Sequence, residues 1–286
     1  MFRIGMLGSD GGGKGGHAVA FANIINRGQY DAKVVGVCGE NPDETKELAE
    51  TAGVERIAKR PEELLGHVDA VCVMPRDGAL HLSYALPFIK AGIPVFIDKP
   101  FTCTVEDAEL LAEEAKKSGA MICGGTSVKY AKVFDELKEL AATKTVASGY
   151  FSFPITLDSP WGGMHFYSHH LIEEVLTVFG TDIQSVTATK VGDNLVVIAK
   201  YSAFPVIMNY ASNYGGLHAG MYFSDETSVM KEVDIQDGYT LQCEAFIESI
   251  KSGVSDDPDY YVLAVKISNA ICRSMELNQE IFINEI

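Results

Sequence analysis

The sequence is short of positive charge. It has 23 lysine and arginine residues against 39 aspartate and glutamate residues, which gives a net charge of −16 at pH 7 and a pI near 4.8. Nucleic acids and anionic membrane surfaces attract cationic proteins, because neutralising their phosphates releases counterions. The excess of acidic residues therefore argues against nucleic acid and against an anionic membrane as partners.

Long apolar runs and closely spaced cysteines are also missing. Nowhere do eighteen apolar residues follow one another, so we expect no transmembrane helix, and the N-terminus carries no apolar run typical of a signal peptide. The six cysteines stand at least twenty residues apart, which excludes a CxxC pair and zinc-finger spacing. These absences predict a cytoplasmic protein without disulfides.

The chain is long enough for two domains. It has 286 residues, of which 47% are hydrophobic and 22% are charged, as in ordinary globular proteins. Over residues 1–125, short apolar runs alternate with amphipathic segments, the pattern of parallel strands covered by helices on both faces. We predict strands at 2–7, 33–38, 69–74, 94–97 and 120–123. The predicted fold is therefore α/β, beginning with a doubly wound Rossmann domain over residues 1–125.

The rest of the chain has a different pattern. Between residues 182 and 233, alternating apolar and polar residues predict consecutive strands with no helix between them, and hence an antiparallel sheet. We predict an α+β domain over residues 126–286 with an open, mainly antiparallel sheet that binds substrate. Several of its strands are too apolar for a solvated face. We therefore expect a homodimer or homotetramer that forms through this sheet.

A glycine-rich turn follows the first predicted strand. Backbone N–H groups in such a turn can approach a pyrophosphate at the start of the next helix. The spacing is not GxGxxG, so a flexible surface loop is the alternative, but the position in the first βα unit favours a dinucleotide. The residues that we expect to bind it are Gly8, Ser9, Asp10, Gly11, Gly12 and Gly13.

Charged residues follow two later strands of the same domain. Glu40, after the second strand, either holds the ribose 2′-hydroxyl, which would favour NAD over NADP, or points to solvent. The fourth strand ends in Asp98, Lys99 and Pro100. Lys99 either binds a substrate hydroxyl at this edge of the sheet or forms a surface salt bridge with Asp98.

Three of the seven histidines lie within six residues, in the run WGGMHFYSHHLIEE. On a helix, His165, His169 and Glu173 would share one face. Three interpretations remain open from the residue types alone. The histidines act as acid and base, they bind zinc through the i, i+4 pair, or they are structural.

Several segments resemble a known enzyme family. They read DAVCVMPRDGALHLSYALPFIKAGIPVFIDKP over 69–100, FTCTVEDAELLAEEAKKSG over 101–119, AFIESIKSG over 245–253 and SMELNQEIFI over 274–283. Through them nearly the whole chain resembles the Gfo/Idh/MocA oxidoreductases, which include glucose–fructose oxidoreductase and inositol dehydrogenase. The resemblance implies that Lys99 contacts nicotinamide and substrate, that His170 relays the proton of the substrate hydroxyl, and that His81 lies on the cofactor side.

This resemblance implies hydride transfer between a secondary alcohol of a sugar, cyclitol or related polyol and NAD or NADP, with NAD favoured. The expected catalytic residues are Lys99, His170 and Glu173. Further cofactor contacts are expected at Met74, Pro75, His81, Asp98, Lys99 and Pro100. Further substrate contacts are expected at Tyr130, Trp161, Tyr167 and His169. No metal is predicted.

The chain also departs from the family pattern. Phe166 stands where the family usually has aspartate, Ser168 replaces a glycine, and Glu173 replaces a second aspartate. The substrate of a family member therefore cannot be carried over. Three rival functions follow: an enzyme that oxidises a sugar transiently while it cleaves or eliminates a neighbouring bond, a dinucleotide-binding sensor without catalysis, and a metal-dependent hydrolase.

Overall fold

A computed structural model describes residues 1–8, 16–211 and 216–286 of the chain. The predicted cofactor residues Ser9, Asp10, Gly11, Gly12 and Gly13 lie outside the described residues. The chain divides into two compact units. The first unit contains Met1–Gly125 and Tyr239–Val262, and the second contains Thr126–Gly238 and Leu263–Ile286.

The first unit is built on a five-stranded parallel sheet in the order β2-β1-β3-β4-β5. Its strands are β1 (Phe2–Leu7), β2 (Ala32–Cys38), β3 (Ala70–Val73), β4 (Val95–Asp98) and β5 (Ile122–Gly125). The residues of β3, β4 and β5 are all buried, as expected for strands covered on both faces. This confirms the predicted Rossmann-type sheet.

The second unit contains a seven-stranded sheet in the order β11-β10-β6-β9-β8-β7-β12. Its strands are β6 (Val146–Pro154), β7 (Ile183–Val191), β8 (Asn194–Tyr201), β9 (Pro205–Ala211), β10 (His218–Phe223), β11 (Ser228–Glu232) and β12 (Ile281–Phe282). All neighbours run antiparallel except β6 and β9, which are parallel. This confirms the prediction of a mainly antiparallel sheet.

The described residues also form α-helices in both units. They are α1 (His17–Asn26), α2 (Pro42–Ala52), α3 (His81–Lys90), α4 (Val105–Ser118), α5 (Val133–Thr143), α6 (His165–Phe179), α7 (Gly238–Ser252) and α8 (Pro258–Leu277). The bounds of α4 follow from its sequence: the Thr104 side chain accepts from the Asp107 N–H, and Gly119 ends the helix at φ +73°. Among the described residues, no helix is long and apolar enough to cross a membrane.

The segment Tyr239–Val262 belongs to the first unit, although the predicted division at residue 125 assigns it to the second domain. The reason is its apolar face. Phe246 of α7 joins the buried cluster around the parallel sheet, and its ring lies 5.6 Å from that of Phe96 on β4. Tyr239 packs edge-on against Phe21 of α1 at 6.5 Å. The first unit is therefore discontinuous in sequence.

Candidate active site

The order of the parallel strands defines where a ligand can bind in the first unit. The chain leaves β1 for β2 on one side, and β3 lies on its other side, so the order reverses between β1 and β3. Ligands of doubly wound sheets bind at such a point, beyond the carboxyl ends of the strands. Gly8 follows β1 there with φ +109°, and a Cβ on it would lie 2.3 Å from the backbone nitrogen of Pro75. Only glycine fits this position.

The start of α1 is suited to an anion. Among the described residues no side chain caps α1, and its first turn has no acidic residue. By contrast, Asn41 caps α2, and that helix has two acids in its first turn. Uncapped N–H groups and the helix dipole together favour a phosphate. Gly8 and the start of α1 thus fit the pyrophosphate of a dinucleotide.

Asp98, at the end of β4, forms a buried ion pair. Its Oδ2 lies 2.6 Å from Nδ1 of His17, and the side chains of His17 and Asp98 are 25% and 8% exposed. Burial alone would raise the pKa of Asp98, but the charge of His17 and its hydrogen bond outweigh burial, so that pKa is lowered. The His17 ring also packs edge-on against Tyr239 at 4.8 Å. Asp98 is therefore held as a carboxylate beside the buried Lys99.

His81 is fully buried rather than exposed on a cofactor surface. Its Nε2 lies 2.8 Å from the Pro75 carbonyl and its Nδ1 lies 3.3 Å from the Phe101 carbonyl. Burial lowers its pKa, so the ring is neutral near pH 7. His81 thus ties the segment after β3 to the segment after β4. Its contact with a cofactor stays a prediction.

The other cofactor residues of the first unit differ in exposure. Met74, Pro75 and Pro100 are buried, whereas Glu40 is exposed two residues beyond the end of β2. The Met74 N–H donates to the Leu7 carbonyl at 2.6 Å, which holds the ends of β1 and β3 together. Contacts of these residues with a dinucleotide stay predictions.

In the second unit, Thr126 brings two predicted catalytic residues together. Its Oγ1 lies 2.6 Å from Nδ1 of His170, and its N–H donates to both carboxylate oxygens of Glu173 at 3.1 and 3.2 Å. Lys129 donates to the same carboxylate at 3.3 Å. His170 and Glu173 lie on one side of α6 and are both buried. The site therefore pairs an imidazole with a carboxylate whose charge is balanced by a lysine.

Aromatic rings surround His170. Its ring centroid lies 4.6 Å from that of Phe153 and 5.6 Å from that of Tyr167. Phe166 contacts the rings of Tyr167 and Trp161 in turn, at 4.9 and 5.5 Å. Two of the predicted substrate residues, Tyr167 and Trp161, are thus brought into one aromatic chain with His170.

The remaining predicted substrate residues are placed differently. Tyr130 is half-buried in the short 3-10 helix Val128–Tyr130. His169 is fully buried within α6. For these two residues, as for the others in the site, contact with a substrate stays a prediction.

The zinc interpretation receives no support from the described residues. No three histidine, cysteine, aspartate or glutamate side chains converge there as metal ligands would. His165 instead has Nδ1 2.7 Å from the Ser268 hydroxyl, and its Nε2 lies 3.8 Å from the Cys272 sulfur. Burial lowers the pKa of His165, in keeping with a neutral ring in this setting.

Three residues of these arrangements are absent from the sequence prediction: His17, Thr126 and Lys129. Thr126 has a usable signal, since it is the first residue after the last parallel strand, where ligand-binding side chains concentrate. His17 begins the helix after the glycine-rich turn, which is a weaker signal. Lys129 has no sequence signal, because its partner Glu173 lies 44 residues away.

Comparison with known proteins finds a similarity in the first part of the chain. Residues 2–126 match the model of the Gfo/Idh/MocA oxidoreductase family, described as having an NAD-binding Rossmann fold. A myo-inositol 2-dehydrogenase of Thermotoga maritima is 30% identical over 118 residues, which are 41% of this chain and 35% of that protein. The match thus spans about a third of the curated relative.

Solved structures are similar over nearly the whole chain. A probable dehydrogenase from Thermotoga maritima superposes with a TM-score of 0.85 at 20% identity and covers 99% of both chains. A scyllo-inositol dehydrogenase from Lactobacillus casei, solved with NAD(H) and scyllo-inositol, has a TM-score of 0.85 at 14% identity, again over 99% of both chains. At these identities the likeness establishes the fold of both units.

Proposed function

We propose that the protein is an NAD(P)-dependent oxidoreductase that transfers a hydride between a secondary alcohol of a sugar, cyclitol or related polyol and nicotinamide. The observation that carries this proposal is the buried cluster of His170, Thr126, Glu173 and Lys129. Oxidation of an alcohol requires a group that takes the hydroxyl proton. This cluster would supply such a group in a chain whose first part matches an oxidoreductase family with a Rossmann fold.

The residues of the first unit would hold the dinucleotide. Gly8 and the N-terminus of α1 would bind its pyrophosphate. Exposed Glu40 would hold the adenosine ribose, and its negative charge favours NAD over a cofactor with a 2′-phosphate. The bound nicotinamide would supply the hydride acceptor or donor.

The residues around the reacting carbon would accept and return the proton of the substrate hydroxyl. Removing a hydride from a secondary alcohol leaves charge on its oxygen, which needs a proton acceptor. His170 would take that proton in oxidation and return it in reduction. Lys99 would stabilise the developing negative charge on the oxygen, while Glu173 would orient His170 or bind a neighbouring hydroxyl.

A polyol is the substrate class that the relatives support. Their descriptions name myo-inositol and scyllo-inositol, and the −16 net charge of this chain favours a neutral substrate over a phosphorylated one. The half-buried rings of Tyr167 and Trp161, which pack against buried Phe166, would offer an apolar face that suits the C–H face of a sugar.

The proposal is tested by identifying the cofactor and then the substrate. We expect native mass spectrometry to show NAD(H) or NADP(H) bound to the purified 31.0-kDa chain, and a polyol panel to give NADH absorbance with at least one member. Tightly retained NAD without any need for added cofactor would favour the redox-neutral rival. Nucleotide binding without turnover on any polyol would favour the sensor without catalysis. Failure to bind either nucleotide would contradict the proposed oxidoreductase, the redox-neutral enzyme and the sensor alike.

We also propose that the protein forms a homodimer or homotetramer through the seven-stranded sheet. Ile198 pairs with Ile207 across β8 and β9, and Ile207 lies opposite Tyr150 on β6. The two isoleucines are 41% and 40% exposed, so they leave apolar surface on this face.

Mutation of this apolar face tests the assembly. We expect light scattering to give at least twice the 31.0-kDa chain mass, and Ile198→Lys with Ile207→Lys to reduce it to one chain. Val254→Lys is the matched control, because Val254 is also exposed but belongs to the first unit. A monomeric wild-type protein at micromolar concentration would contradict the proposal.

A further inference from the structure

His17 is held in place through one of its two ring nitrogens. Its Nδ1 lies 2.6 Å from Oδ2 of Asp98, the last residue of β4, and its ring packs edge-on against Tyr239 of α7 at 4.8 Å. All three residues belong to the first unit. A quarter of the His17 side chain is exposed. Nε2 is therefore the ring nitrogen that is left for a ligand.

Asp98 determines which nitrogen of the His17 ring carries a proton. Burial raises the pKa of Asp98, but the charge and the hydrogen bond of His17 outweigh burial, and the charges of Lys99 and His81 act in the same direction. Asp98 is therefore a carboxylate near pH 7 and can only accept a hydrogen bond. Nδ1 of His17 then carries a proton whether the ring is neutral or charged. Nε2 is an acceptor in the neutral ring and a donor in the charged ring.

The position of His17 places it beside the proposed site of an anion. It is the first residue of α1, and a pyrophosphate binds at the start of such a helix. Phosphate oxygens accept hydrogen bonds and do not donate them, so Nε2 can bind one only when it carries a proton. The dipole of α1 opposes a positive charge at its first residue, whereas Asp98 and a bound anion both favour it. His17 is therefore driven toward its charged form when the anion binds.

We propose that His17 binds the pyrophosphate of the dinucleotide as an imidazolium, so that cofactor binding takes up a proton from water. This rests on the proposed function, in which the start of α1 binds that pyrophosphate. The neutral ring gains the proton at Nε2, and no covalent bond between heavy atoms changes. The charged ring also cancels the charge of Asp98, which would otherwise repel an anion at the edge where the strands end.

Binding of NADH at several pH values tests the proposal, because NADH itself has no group that titrates near neutral pH. Histidine changes its charge between about pH 5 and 8. Above the pH at which free His17 loses its proton, we expect the affinity for NADH to fall by up to about tenfold per pH unit. Calorimetry at about pH 8 in Tris and in HEPES, which differ in ionisation enthalpy, should show uptake of about one proton per chain. Burial lowers the pKa of His81, so that ring stays neutral over this range.

His17→Asn identifies the group that takes the proton. Asparagine keeps an N–H for Asp98 but cannot be charged, so we expect no proton uptake and an affinity for NADH that is independent of pH. At about pH 6 the affinity should be about tenfold weaker than in the wild type, as for the loss of one hydrogen bond to a charged group. His67→Asn is the matched control, because His67 is an exposed histidine of the first unit, and it should show the wild-type proton uptake.

The outcomes separate this inference from the proposed function. If the wild-type protein binds NADH without proton uptake and with the same affinity at each pH, the inference is overturned and the cofactor assignment stands. That measurement needs no variant. Unchanged proton uptake in a folded His17→Asn protein also overturns the inference, because another group then takes the proton. If neither NADH nor NADPH binds, the proposed function fails and the inference fails with it.

Discussion

We expect His170→Ala to lower turnover by about two to four orders of magnitude, the usual contribution of a positioned acid or base. Nδ1 of the buried imidazole lies 2.6 Å from the Thr126 hydroxyl, and the substitution removes the ring that would exchange the proton with the substrate. NADH affinity should survive this change, because His170 belongs to the second unit. Initial rates by NADH absorbance and NADH titration by fluorescence measure the two quantities.

Lys99→Ala should also lower turnover by about two to four orders of magnitude, because it removes the cation that would stabilise the negative charge on the substrate oxygen. His67→Ala is a suitable control for both variants, since His67 is exposed in the first unit and is not one of the predicted site residues. Circular dichroism should verify that each variant is folded. Unchanged turnover in both folded variants would refute the catalytic assignment.

The second large effect concerns Glu174, for which we expect substitution by methionine to stabilise the protein. Both carboxyl oxygens of Glu174 are buried with no hydrogen-bond partner among the described residues. Burial raises the pKa of this carboxyl well above its ordinary value of 4.5. A buried polar group without a partner costs about 1–3 kcal/mol, so Glu174→Met should raise the free energy of unfolding by about that amount at pH 7.

The effect has a definite dependence on pH. Because the pKa of Glu174 is raised in the folded state, the folded protein keeps a proton that the unfolded chain releases above pH 4.5. The contribution of Glu174 to the free energy of unfolding of the wild-type protein is therefore greatest below pH 4.5, and it is lost as the pH rises. The gain from Glu174→Met should accordingly be larger at pH 7 than at pH 4.

Urea unfolding at pH 4 and pH 7 measures this difference. Glu139→Met is the control, because Glu139 is exposed on α5 and should show no gain that depends on pH. Destabilisation by Glu174→Met at pH 7 would mean that the carboxyl has a stabilising partner in the folded protein. A gain equal at both pH values would mean that the charge of Glu174 is not its cause.

Features set by neighbouring residues were predictable from the sequence. The threonine cap, the acids of the first turn and the closing glycine all specify α4, and the apolar runs of β3 and β4 specify buried parallel strands. Strand position and the family resemblance also singled out Lys99 and His170, whose roles stay predictions. These signals need no knowledge of distant contacts.

Contacts between distant residues were not predictable in the same way. Thr126 meets His170 and Glu173 across 44 and 47 residues, and no spacing in one sequence encodes such a pairing. Likewise, the apolar face of α7 shows that the helix must be covered but not that the parallel sheet covers it. A single amphipathic pattern cannot distinguish between two sheets in one chain.

The path of α7 has a consequence for the order of folding during synthesis. When residue 125 leaves the ribosome, all five parallel strands exist, yet the core they need still lacks Cys243, Phe246 and Ile247. The first unit is complete only after Val262 has been made, by which time every strand of the seven-stranded sheet except β12 has already emerged. The N-terminal unit therefore cannot complete its core until most of the second unit has also been synthesised.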